Sequence, residues 1–238
     1  MAANPSPSHF TISRFWTTHA LFPALLFVIA VIIFEFTAID VSLANHFYDF
    51  TTQQWPHKNS GWASQLIHEY GRRMIVALFL INLVALLLTW LRSGMKPYRR
   101  PAAYMALVLI FAPLIVSSGK HISNVDCPWD LNIYGGDRPH ILLFQDRPDD
   151  LPATQCFPGG HSSSGFALLG LYFLLLKRNT RLAKLGLAIG LGVGSLFAFG
   201  QEARGAHFIS HDAWSAFICW FTALVIYTVI FRQRLWSD

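Results

Sequence analysis

Charge is what this chain has least of. Asp, Glu, Lys and Arg make up 13% of its 238 residues, against roughly 25% in an ordinary soluble domain. A surface wetted on all sides cannot be built from so few charged side chains. The formal net charge is +5, but the cations fall in short clusters between apolar runs. A nucleic-acid interface needs cations gathered on one face or stripe, so that partner class is excluded; this pattern belongs to membrane topology. Metal-binding spacing is missing as well. No Cys-x-x-Cys occurs, and no His-x-x-x-His pair comes with enough further ligands. We therefore expect no metal and no cofactor, although His207 and His211 do have the i, i+4 spacing. The first apolar run is too long for a signal-peptide core, so it is expected to be retained. With no internal repeat and no low-complexity tract, residues 1–238 read as one domain.

What the chain has instead is apolar length: 53% hydrophobic residues, with 20 Phe and 8 Trp. About 20 apolar residues cross a bilayer, and six runs qualify: Ala20–Ile39, Met74–Leu91, Ala102–Gly119, Ser162–Leu176, Leu185–Gly200 and Ala213–Phe231. The fourth and fifth are short, so their ends are expected to extend into polar flanks. Irregular backbone cannot face lipid unsatisfied, which makes the spans helices. The fold class is thus an all-α polytopic membrane protein with six transmembrane helices. Residues 1–18, polar with two prolines, are expected to form a cytoplasmic tail.

Orientation follows from Lys and Arg. Arg14, Arg92, Lys96, Arg99, Arg100, Lys177, Arg178, Arg181, Lys184, Arg232 and Arg234 all fall on one side, which the positive-inside rule makes cytoplasmic. Arg72 and Arg73 dissent. Both termini then lie in the cytoplasm, and segments 40–73, 120–161 and 201–212 lie outside. Residues 61–70 read either as an interfacial helix, aromatic side down, or as a plain connection. Loop 120–161 carries Trp129, Tyr134 and Ile141–Phe144 among many acids, as a folded lid over a site would. Cys127 and Cys156 both fall in it. An outer compartment permits a bridge between them, stabilising by roughly 3–4 kcal/mol; the other reading is two unpaired small residues. Gly186, Gly190 and Gly194 line one face of the fifth span and let a neighbour approach closely.

Three chemical clusters collect on the outer side. Lys120 closes the third span. Pro158-Gly159-Gly160-His161 opens the fourth, where backbone N–H groups and a helix N-terminus favour an anion. Arg204-Gly-Ala-His207-Phe-Ile-Ser-His211 opens the sixth. Each has an ordinary reading: an interfacial anchor, a plain helix start, a pair of anchoring histidines. Together they assemble what phosphoryl transfer needs. Cations neutralise the phosphoryl group, one imidazole attacks it, and another protonates the departing oxygen. Ionisable groups at membrane depth mark functional sites.

These residues resemble the type 2 phosphatidic acid phosphatase superfamily. Its signature is Lys, six residues, Arg-Pro; then Pro-Ser-Gly-His; then Ser-Arg, five residues, His, three residues, Asp. Here Lys120 precedes Cys127-Pro128 at that spacing, followed by Pro158-Gly159-Gly160-His161 and Gly205-Ala206-His207-Phe208-Ile209-Ser210-His211. The first and third motifs diverge. Cys127 stands at the first arginine, Gly159 at the serine, Gln201 at the second arginine with Arg204 three residues on, and His211 at the aspartate with Asp212 next. The resemblance implies His207 as nucleophile, His161 as general acid and His211 as orienting partner. Lys120, Gly159, Gly160 and Arg204 would bind phosphate, with Arg138 a weaker substitute. A shifted register would make His211 the nucleophile and Ser215 its partner. The implied activity is hydrolysis of a phosphomonoester or pyrophosphate on a membrane lipid, without metal. Candidate substrates are phosphatidic acid, phosphatidylglycerol phosphate, an isoprenyl pyrophosphate or a glycolipid phosphate. The implied location is the outer face of a bacterial-type inner membrane. Two alternatives share these residues: phosphoryl transfer to another lipid, and a non-catalytic protein that binds anionic lipid.

Overall fold

A computed structural model of the chain describes residues 13–232. Helix α1 (Ser13–Phe36) leads through the short α2 (Ile39–Ala44) to α3 (Gly61–Leu91). Then come α4 (Arg99–Ser123), α5 (Gly160–Leu176), α6 (Thr180–Ala203) and α7 (Ile209–Ile230). No β-strand occurs among the described residues. Five helices (α1, α3, α4, α6 and α7) are long and apolar enough to cross a membrane, and α5 is a shorter apolar helix.

Two helices begin earlier than hydropathy indicates, for the same reason. Of the expected tail 1–18, residues 1–12 lie outside the described residues, as does Arg234; from Ser13 the chain is already helical. The polar side chains there bond within the bundle. Thr17 Oγ1 donates to Ser13 O (2.9 Å), and the His19 ring nitrogens meet Phe15 O and Tyr172 Oη (both 2.8 Å). Locally satisfied polar groups do not stop a helix. Likewise α3 starts at Gly61, not Met74. Ser60 Oγ accepts from Ala63 N (3.3 Å), and Gly61–Tyr70 is wound as a wide π-helix that runs straight into Gly71–Leu91. Residues 61–70 are therefore helix, continuous with the second span.

The bundle centre is built from α4, α5 and α7, where Tyr104, Val108, Phe166, Leu169, Phe173, Leu224 and Tyr227 are buried together. Lipid is as apolar as these side chains, so shape complementarity and close approach hold such helices together. Gly190 illustrates this, since a Cβ there would lie 2.6 Å from Leu169 N. With α6 this close, α5 is covered along most of its length. Outward faces of α1 and α3 keep large apolar residues exposed, among them Leu25, Ile32, Ile81 and Leu87.

Segment 124–159 folds over one end of the bundle with little regular structure. A Cys127–Cys156 disulfide ties its two ends, with a Cα–Cα distance of 5.2 Å. Asp126 is buried and ion-paired with Arg138 (3.4 Å) and Arg147. Tyr134 packs with Tyr48, Trp55, Leu131 and Phe208 and donates to Asn45 Oδ1 (2.9 Å), joining this cover to the segment after α2. Trp129 N donates to Gly205 O (3.0 Å), fixing the cover above the α6–α7 turn.

Candidate active site

The end of α4, the start of α5, the α6–α7 turn and the first turns of α3 and α7 meet beneath this cover. Lys120, in the last turn of α4, donates from Nζ to Gln155 O (3.2 Å) and Cys156 O (3.3 Å). Its side chain lies across Gly160, where a Cβ would come 2.8 Å from Lys120 Cε. A cation is thereby placed against the N-terminus of α5. The first-turn N–H groups of Gly160, His161 and Ser162 have no acceptor within their own helix.

Gly159 acts differently from the expectation. Its N–H donates to His211 O (3.0 Å), so it holds the start of α7 and is not free for an anion. A Cβ at 159 would run into Asp212 Oδ1 and come 2.7 Å from Ser162 Oγ. Serine is excluded there because the Asp212 carboxylate fills the space. Asp212 is itself buried, accepts from Ser162 Oγ through Oδ1, and leaves Oδ2 without a hydrogen-bond partner.

His207 is 7% exposed, and its Nδ1 faces His211 Nδ1 at 3.4 Å. Burial holds its pKa well below the ordinary 6.5, and the charges of Lys120, His211, His161 and His68 push the same way. The ring is neutral at neutral pH, the form a nucleophile requires. In the shifted register Ser215 would orient His211, but its hydroxyl lies 2.8 Å from Gly159 O and 3.1 Å from His211 O, on backbone.

His161 is half-buried. Its ring stacks on Phe197 (centroids 4.4 Å apart), and its Nε2 meets Ile67 O at 3.2 Å. Edge-on to it, at 4.5 Å, is His68 from the π-helical start of α3. His68 Nδ1 lies 2.8 Å from Gln201 Nε2, and Gln201 Oε1 accepts from Arg204 Nη1 (3.1 Å). Arg204 Nε donates to Lys58 O (3.0 Å), leaving Nη2 free of hydrogen bonds among the described residues. Arg138 is held inside the cover by Asp126, Asp137 and Pro152 O.

Lys120, His161, His207, His211, Gly160 and Arg204 are thus brought to one end of the bundle, whereas Arg138 is committed elsewhere. Sequence reasoning missed His68 and the Asp212–Ser162 pair. The only sequence sign of His68 was a polar residue at the mouth of an apolar run. Cys156, His207 and His211 offer ligand atoms within 4.8 Å of one another, but Cys156 Sγ is bonded to Cys127 and is no thiolate. Two imidazoles fall short of the donor set zinc takes. A nearby cavity of about 40 Å³ is lined by Glu35, Asp40, His140 and His211 but by none of Lys120, His161 and His207.

The model of the PAP2 superfamily matches residues 101–235 of the chain. No curated protein matches, and no solved structure does. The matched stretch runs from the first turn of α4 through α7 and leaves α1 to α3 outside it.

Proposed function

The chain belongs to the PAP2 superfamily, a family of phosphatases acting on lipid-like phosphates, and we propose that it hydrolyses a membrane-lipid phosphate through a phosphohistidine. The observation that carries this reading is the Nδ1-to-Nδ1 pairing of His207 with His211. With its proton on Nδ1 and donated to His211, neutral His207 has its Nε2 lone pair free. Nε2 attacks phosphorus, the P–O ester bond breaks, and the departing oxygen takes a proton from His161. His161 Nε2–H is held by Ile67 O, so the acid is the imidazolium, and Nδ1 is the nitrogen that gives up the proton and takes it back. Water then attacks phosphorus, giving a proton to His161 Nδ1, while the P–N bond breaks with its electron pair returning to His207 Nε2 and inorganic phosphate is released. Lys120, Arg204 and the N–H groups of the first turn of α5 hold the phosphoryl oxygens, because charge developing in the transition state is best met by donors already in place. None of these steps calls on a metal.

On this reading the site faces the outside of a bacterial-type inner membrane, with both termini in the cytoplasm. Support comes from the cationic loops at the other ends of the helices and from the disulfide beside the site, which suits an oxidising compartment. The test is phosphate release from phosphatidic acid and related lipid phosphates in detergent containing EDTA. His207→Ala should abolish it, and acid-labile label from 32P-substrate should appear on the wild type. Unchanged release by His207→Ala ends the assignment.

A further inference from the structure

His68 lies outside the stretch that the family model matches, on the π-helical segment opening α3. Its hydrogen bonds fix its tautomer. Arginine can only donate, so the Gln201 atom 3.1 Å from Arg204 Nη1 must be the carbonyl oxygen. That orients the whole amide. Gln201 Nε2 can in turn only donate, and it sits 2.8 Å from His68 Nδ1. Nδ1 is therefore the acceptor nitrogen, and the neutral ring carries its proton on Nε2.

No hydrogen bond among the described residues uses that Nε2–H. The ring is half-buried and lies edge-on to His161 at 4.5 Å. The protein leaves this donor to solvent or to a ligand, and a donor set in advance by a chain ending on an arginine is suited to an anion.

We propose that His68 Nε2–H is a phosphate ligand, donating to a non-bridging phosphoryl oxygen of the substrate. The inference rests on the phosphatase reading above. Gln201 stands where the family signature has its second arginine. Here the Arg204–Gln201–His68 chain supplies an oriented donor in its place, drawn from a segment more than a hundred residues away in sequence. The cation moves three residues along, and its influence returns through an amide and an imidazole.

The test is titration of the full chain in detergent with inorganic phosphate, read by isothermal calorimetry, with kcat/KM on a lipid phosphate measured alongside. His68→Leu should weaken phosphate about 10- to 100-fold, the loss expected for a hydrogen bond to a charged group. His68→Gln, whose amide N–H reaches the position of Nε2–H, should stay within about threefold of wild type. Gln201→Leu frees the tautomer and should weaken phosphate while His68 remains. Equal affinity in wild type and His68→Leu overturns the proposal. So does equal weakening by His68→Leu and His68→Gln, which would make His68 a packing residue. Wild-type turnover that depends on His207 but not on His68 leaves the phosphatase reading standing and removes this one alone.

Discussion

Restoring the serine that the family signature carries at position 159 should harm this protein. A Cβ there has no room, since the buried Asp212 carboxylate stands in its place and Ser162 Oγ would be 2.7 Å away. Gly159→Ser must push Asp212 aside, which breaks the Ser162–Asp212 hydrogen bond and strains the Gly159 N to His211 O link. Overpacking a close contact costs about 1–3 kcal/mol, and a lost hydrogen bond to a carboxylate about 1.5–3 kcal/mol. A total of about 2.5–6 kcal/mol is expected. At about 2–4 °C per kcal/mol for a chain of this size, Tm in detergent should fall by about 5–24 °C. Activity should fall too, because the displaced element carries His211. Asp212→Ala makes the missing room, and Ser162 Oγ keeps its 3.0 Å contact with Gly159 O. The pair Gly159→Ser/Asp212→Ala should therefore be more stable than Gly159→Ser alone, with a coupling of about 2 kcal/mol. A Gly159→Ser protein as stable as wild type, or a double variant no better than the single, would show that Asp212 is not what excludes the side chain.

Lys120→Met keeps most of the packing across Gly160 and removes the cation, so kcat/KM should drop about 10²- to 10³-fold with little change in Tm; a drop below threefold removes Lys120 from the phosphate site. His207 is held neutral well below its ordinary 6.5, so its nucleophilic form persists as pH falls past that value. The acid limb of kcat/KM assigned to His207 should lie clearly below pH 6.5, and a limb at or above it contradicts the burial argument. The same depression means that unfolding takes up a proton below 6.5, so Tm should decline as pH falls through and beneath that value. The Cys127–Cys156 bridge closes a loop with a sequence separation of 29, and Cys127→Ala/Cys156→Ala should lower stability by about 3–4 kcal/mol. Chemical denaturation of the reduced and oxidised protein gives an independent value, and no difference between them would show that the cover holds without its tether.

Most of the span pattern was legible because apolar length has few other uses, and the clusters were legible because ions at membrane depth are costly. The helix starts were not. Thr17, Thr18 and His19 read as polar flank, but Thr17 and His19 bond to Ser13, Phe15 and Tyr172, and hydropathy does not register a polar group already satisfied. Lys120, His161, His207 and His211, which the fold brings to one end of the bundle, were visible because they stand at the ends of three apolar runs. His68 was not, since nothing in Leu66-Ile67-His68-Glu69 separates a residue proposed for the site from one wetting a helix mouth. Only its contact with Gln201, far along the chain, makes the difference. Gly159 was read for the N–H it offers, whereas the fold uses that N–H for His211 and needs the missing side chain for Asp212.

Helix α5 has 17 residues, so at 1.5 Å per residue it is about 25 Å long, against a hydrocarbon layer of about 30 Å. Its far end meets the Lys177-Arg178 turn and the Asn179 cap of α6; with that end held at the bilayer edge, the shortfall would fall at the Gly160 end. On the proposed lipid-phosphatase reading, the floor of the site would then lie below the plane in which neighbouring lipids carry their headgroups. A lipid would have to dip to be cleaved, or the leaflet to dimple around this helix. Bilayer thickness would become a control on turnover, one that acts without touching any residue of the protein.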